Sequence, residues 1–249
     1  MSRHLDVLRR AKAEAELFAE PEPSRRAASR AAAQPPLNPD GRDRDQWQQL
    51  IHQLFRRRRP GARFCLGLAS PTVGEGTSYV AAHLAAELAR AIGQPTLLLE
   101  ANLHAPAQAG RHGVEPQPGF SHLLADRQWP LDHCLQQTAF PQLWLLPAGS
   151  DGKGFGAAAD WIHLRPVFQS LRERFQLLVV DLPPVNRYVD GLMIAPLLDG
   201  AILVVEADRS RREAIQHAAA RLRQANPNLL GAILNRRKFF IPEPLYRRL

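Results

Sequence analysis

From Phe64 to Asn235 the chain alternates short, uniformly apolar runs with stretches in which apolar residues recur at helical spacing. The runs are F-C-L-G-L-A, T-L-L-L-E-A, L-W-L-L-P-A, L-L-V-V-D, A-I-L-V-V-E and L-L-G-A-I-L-N. Between them, S-Y-V-A-A-H-L-A-A-E-L-A-R-A-I-G and the segments around Ile162 to Phe175, Leu192 to Leu198 and Arg209 to Ala225 read as helices. Strands this apolar are buried on both faces, as happens when helices cover both sides of a parallel sheet. The predicted fold class is therefore α/β, a doubly wound and mostly parallel sheet. Ligands of such sheets bind beyond the carboxyl ends of the strands, which is where Glu100, Asp181, Asn235 and the loop after the first run fall.

Upstream of this body the pattern changes. Residues 1–19 read as a helix, and residues 20–43, rich in Pro, Ala and Arg and without apolar periodicity, as a flexible linker. Over residues 44–59, Trp47, Leu50, Ile51, Leu54 and Phe55 define one apolar helical face, expected to pack on the flank of the body, before an arginine run and Pro60-Gly61 end it. The body spans residues 63–236 and a basic, aromatic tail residues 237–249.

Composition narrows the class. With 249 residues, 45% of them hydrophobic, the chain can bury one full α/β core with appendages. No uninterrupted apolar run approaches about 18 residues and the N-terminus has no signal-like apolar core, so a cytoplasmic location is expected. Cys65 and Cys134 form neither a disulfide framework nor a cysteine metal site, and the nine histidines show no metal-ligand spacing. The net charge of +8 sits at the two ends while the body is nearly neutral. Basic ends suit an acidic protein, an anionic membrane surface or nucleic acid; a solvated helix end at Arg56 to Arg59 fits as well.

The loop S-P-T-V-G-E-G-T-S-Y, between a strand and a helix, has the form of a phosphate cradle. Such a loop holds phosphate oxygens on successive backbone N–H groups and a helix N-terminus. A lysine neutralises the outer phosphates, and a Ser or Thr hydroxyl sits on Mg²⁺. Gly74, Glu75, Gly76 and Ser78 keep the cradle, but Thr77 stands where the lysine belongs. The chain has only three lysines, Lys12, Lys153 and Lys238. Lys153, in a glycine-rich loop, either reaches over the site as a flap or is simply solvated.

This loop, T-L-L-L-E-A-N-L-H-A-P, G-F-S-H-L-L, L-L-P-A-G, L-L-V-V-D-L-P-P-V, the later Asp190 and Asp199-Gly200, and G-A-I-L-N-R occur in one order. Over roughly Arg63 to Arg236 the series resembles bacterial tyrosine autokinases of capsule and exopolysaccharide synthesis, deviant members of the P-loop NTPase class. Related ATPases that position chromosomes and division sites share the sheet but match the Pro-Pro series less well. The resemblance implies ATP and Mg²⁺ as ligands, with Asp181 and Ser78 on the metal and Asn235-Arg236 at the nucleobase. Its second motif has two aspartates flanking one residue, then an arginine and a proline; here Glu100, Asn102 and His104 stand in those places and Pro106 is kept. Asn102 loses a charge and His104 a permanent cation. The family's tail carries a tyrosine cluster as phosphate acceptor, whereas Tyr246 is the single tyrosine of this tail.

The resemblance also implies a partner, the cytoplasmic segment of a membrane polysaccharide chain-length determinant. Arg237, Lys238, Phe239, Phe240, Ile241 and Tyr246 would suit a docking strip for it. A homo-oligomer and an anionic membrane stay open as further partners, and nucleic acid is not expected. The sequence thus points to a pseudokinase-like regulator with catalytic positions reduced to Asp181 and Glu100. The alternatives are a weakly active ATP-dependent tyrosine kinase and a positioning ATPase.

Overall fold

A computed structural model describes residues 44–55, 61–126, 129–149 and 159–236. The N-terminal helix and linker expected over residues 1–43, the arginine run 56–59, Lys153 and the tail 237–249 lie outside the described residues.

Helix α1 (Arg44–Phe55) precedes β1 (Phe64–Ala69), α2 (Thr77–Ile92), β2 (Thr96–Glu100) and three short helices, α3 (Gln108–His112), α4 (Phe120–Ala125) and α5 (Leu131–Cys134). Then come β3 (Gln136–Gln137), β4 (Leu143–Leu146), α6 (Ala159–Arg174), β5 (Leu177–Asp181), α7 (Asp190–Ile194) with a 3₁₀ turn (Ala195–Leu197), β6 (Gly200–Glu206), α8 (Arg212–Ala225) and β7 (Leu229–Asn235). The seven strands lie in the order β3-β4-β2-β5-β1-β6-β7. Every pairing is parallel except β3 with β4.

The apolar runs divide by alternation between two cores. Leu97 and Leu99 of β2 face one side with Val180 and Val205, under Phe120, Phe168, Leu171 and Leu222. Leu98 faces the other with Val179 and Val204, under the alanine-rich α2. Strand period two and helix covers on both sides are the physical reason these runs contain almost no polar residue. On the second side α1 lays buried Ile51 and half-buried Trp47, Leu50 and Leu54 against this core. Trp47 stacks on His83 of α2 at 5.8 Å.

Three expectations need correction. The run L-L-G-A-I-L-N was expected to be buried on both faces, yet β7 is the sheet edge, with Gly231, Ala232 and Leu234 exposed. A seventh strand, β3, was missed because its two residues are both glutamine and carry no apolar signal. The helix expected from Arg209 begins at Arg212, since Ala207 to Arg209 form a turn with Asp208 at φ 62°.

Candidate functional site

The carboxyl ends of β1, β2, β5, β6 and β7 converge on the loop Ser70–Gly76. Gly74 (φ 89°) and Gly76 (φ 85°) adopt left-handed backbone that only glycine takes without strain. A Cβ on Gly76 would come within 2.3 Å of Asn235 Nδ2, and one on Gly74 within 3.0 Å of Arg209 Nη1. Between them the Glu75 side chain is buried. Its Oε1 accepts from Thr72 Oγ1 (2.6 Å), and its Oε2 accepts from Ser210 Oγ (2.5 Å) and the Glu206 amide. Glu75 thus fastens the loop to the end of β6.

Further side chains support the same loop. Asn235 Nδ2 donates to Glu75 O (2.8 Å) while its Oδ1 accepts the Arg236 amide (2.9 Å). Arg236 Nη1 donates to Gly74 O (3.1 Å) and pairs with Glu206 Oε2 (3.2 Å), which also accepts from Arg209 Nη1 (2.9 Å). Burial works against the Glu206 charge, but the two guanidiniums outweigh it and hold the carboxyl below its usual range.

Thr77 opens α2 and is buried, and its Oγ1 has no hydrogen-bond partner. Glu100 and Asp181 end adjacent strands and sit opposite each other in register. Glu100 accepts from the amides of Ala107 (2.5 Å), Gln108 (2.7 Å) and Ala148 (3.1 Å). Burial raises its pKa, and those amides oppose the rise. Asp181 Oδ2 accepts from Gln108 Nε2 (2.8 Å), which also donates to Ser78 O (2.9 Å). Complete burial pushes the Asp181 carboxyl up to about 7; the Gln108 bond lowers it, Glu100 raises it, and the Ser78 hydroxyl and Arg111 lower it. Its Oδ1 is left without a partner.

Asn102, two residues past Glu100, has a buried Oδ1 without a hydrogen-bond partner. His104, read from sequence only as a lost cation, bonds through Nε2 to Asp190 Oδ2 and stacks on Tyr188 at 3.6 Å. Arg187 covers the same tyrosine ring, 5.4 Å from its centroid.

Among the described residues, eight buried side-chain polar atoms lack a hydrogen bond, and all belong to Thr77, Asn102, Gln108, Arg111, His112 and Asp181. Each such atom costs about 1–3 kcal/mol if left unmet. Four of them, on Thr77, Asn102, Gln108 and Asp181, belong to residues at the phosphate loop and the ends of β2 and β5, where a hydrogen-bonding ligand would meet them, whereas the Arg111 and His112 nitrogens lie by Tyr79, His83 and Phe140. The oxygen atoms among them, with the loop amides and the Ser78 hydroxyl, fit phosphates and a hydrated Mg²⁺ ion.

Sequence reasoning found the loop, Glu100, Asn102, Asp181 and Asn235-Arg236, and the structure brings them to one edge of the sheet. It missed Gln108, Arg111, Glu206 and Arg209. None of these has a spacing signal: Gln108 and Asp181 are 73 positions apart, and Glu206 and Glu75 are 131.

Comparison with known proteins accords with this fold. Tyrosine-protein kinase CpsD of Streptococcus agalactiae is 28% identical over 172 residues, 69% of this chain and 74% of that protein. The succinoglycan biosynthesis transport protein ExoP of Rhizobium meliloti is 30% identical over 175 residues, covering 69% of this chain but 22% of ExoP. The VpsO kinase domain superposes with a TM-score of 0.64 at 27% identity over 80% of this chain and 100% of that domain. The chain is a homologue of the bacterial tyrosine kinases of capsule and exopolysaccharide synthesis. No protein-family model matches it. The seven-stranded, mostly parallel sheet is the P-loop fold that these kinase domains share.

Proposed function

We propose that the chain is a kinase-derived regulator of exopolysaccharide or capsule assembly that holds nucleotide weakly, transfers phosphate poorly and acts by binding. The observation that carries this is Thr77: a neutral hydroxyl is buried at the loop position where phosphoryl transfer relies on an ammonium. Losing one charge-assisted phosphate contact costs about 2–3 kcal/mol in binding, with a further loss in the transition state. Glu100 adds to the impairment, because its carboxylate is engaged with three backbone amides.

Nucleotide binding remains chemically supported. Backbone N–H groups from Gly74 to Ser78 would hold the phosphates, and the Ser78 hydroxyl with Asp181 Oδ1 would hold a hydrated Mg²⁺, whose role is to neutralise phosphate charge. The protein partner fitting this reading is the cytoplasmic segment of a membrane polysaccharide chain-length determinant, met through the basic, aromatic tail. Such a partner would place the chain at the membrane. No helix among the described residues is long and apolar enough to cross it.

The test is phosphate incorporation from labelled Mg²⁺-ATP, run beside an active relative. The proposal expects weak nucleotide binding without incorporation. Robust labelling of Tyr246, abolished by Asp181→Ala, would overturn it in favour of a weakly active tyrosine kinase.

A further inference from the structure

The loop that lacks its lysine is also burdened with negative charge. Glu75 is buried inside it, and Glu206 stands at the end of β6, its amide bonded to Glu75. Among the described residues, a polyphosphate approaching this loop would meet two carboxylates and no ammonium. Two guanidiniums face the same spot. Arg209 lies where a side chain on Gly74 would be, and Arg236 holds the Gly74 carbonyl at 3.1 Å, with Glu206 pairing to both.

We propose that Arg209 and Arg236, bridged by Glu206, form a charge clamp behind the phosphate loop that compensates for the missing lysine when a nucleoside polyphosphate binds. Carbonyls of a phosphate loop point away from the phosphates, so a guanidinium bound to Gly74 O acts from behind the cradle and leaves the amides free. Two cations against Glu75 and Glu206 bring the local sum to zero, and the backbone amides then hold the phosphates unopposed. The clamp also fixes the loop: Arg236, Asn235, Ser210 and the Glu206 amide together hold Gly74 and Glu75 in place. Both arginines are positioning residues, acting through charge and through the loop.

The inference rests on the nucleotide reading above, and one calorimetric series separates the two. The full chain is titrated with Mg²⁺-ATP and Mg²⁺-ADP as wild type, as Arg209→Gln/Arg236→Gln, as Arg209→Lys/Arg236→Lys and as Glu206→Gln. The clamp predicts that the glutamine pair binds ATP at least tenfold more weakly and loses less for ADP. It predicts that the lysine pair stays within about threefold of wild type and that Glu206→Gln binds ATP more tightly. Equal losses in the glutamine and lysine pairs, or a weaker Glu206→Gln, would show that shape and not charge matters and would sink the proposal. Thermal unfolding checks each variant; if the glutamine pair does not fold, the sign of the Glu206→Gln change decides. A wild type that binds ATP alongside unchanged variants overturns the clamp alone, whereas a wild type that binds no ATP overturns the nucleotide reading and the clamp with it.

Discussion

Thr77 is the residue on which the proposed loss of phosphoryl transfer rests, and its surroundings say what a lysine there would do. The position is buried, its hydroxyl is unpartnered, and the flanking glycines already hold the left-handed turns of the cradle. Thr77→Lys should therefore tighten Mg²⁺-ATP binding about tenfold or more, one charge-assisted contact being worth at least 1.4 kcal/mol, as calorimetry would measure. Without nucleotide the same ammonium is desolvated and lacks a phosphate, so the variant should unfold at lower temperature than wild type and recover on adding ATP. An unchanged affinity in a folded variant would mean that the loop has lost its phosphate-binding shape along with its lysine. The substitution itself was legible in the sequence, because the loop motif fixes the lysine's place by spacing. His104 was legible only as a loss. Its pairing with Asp190 and stacking on Tyr188 join segments 86 positions apart, and no local pattern announces them.

Among the elements, α3 shows most clearly how the site is held and why part of it was unreadable. Five residues, Q-A-G-R-H, are too few to be helical alone. Their place is set by Glu100, which takes the amides of Ala107 and Gln108, and by Gln108, which ties the helix to Ser78 and Asp181. A segment shaped by distant partners has no periodicity, whereas β2 and β5 announce themselves through uniform apolarity. The edge strand β7 misled for the converse reason, since its apolar run has no described cover on part of its surface. Helix α3 also carries His112, which packs edge-on to Phe140 at 6.1 Å. Burial first, then Arg111 and His83, push its pKa from 6.5 down to about 4. The native state therefore binds fewer protons than the unfolded chain between those values, and the stability His112 confers is full above about pH 6.5 and lost as pH falls toward 4. Between pH 6.5 and 5 the loss should be about 1.5 kcal/mol. Urea unfolding of wild type and His112→Phe at several pH values checks this: the difference between them should shift by that amount in favour of the phenylalanine variant as pH drops. A pH-independent difference would refute it.

Across the whole molecule, charge and site are separated. The body is nearly neutral, the net +8 sits at the ends, and the carboxyl edge of the sheet gathers the loop, the carboxylate pair and the arginine clamp. Strand β7 ends at Asn235, which with Arg236 holds the phosphate-type loop, and residues 237–249 follow directly, so the proposed docking strip is covalently rooted in the proposed nucleotide site. Charges in that strip should speed encounter with an acidic segment while Phe239, Phe240 and Tyr246 supply most of the affinity. Deleting residues 237–249 should then abolish capture of a chain-length determinant's cytoplasmic segment, and raising salt should slow association with the full chain. The body's thermal unfolding should barely change, because the described residues of both cores come from the sheet and the helices that cover it. If the truncated chain still captures the segment, docking belongs to a face of the nucleotide domain itself. If truncation lowers the unfolding temperature by many degrees, residues 237–249 serve the fold, and the exposed side of β7 is the surface they would protect.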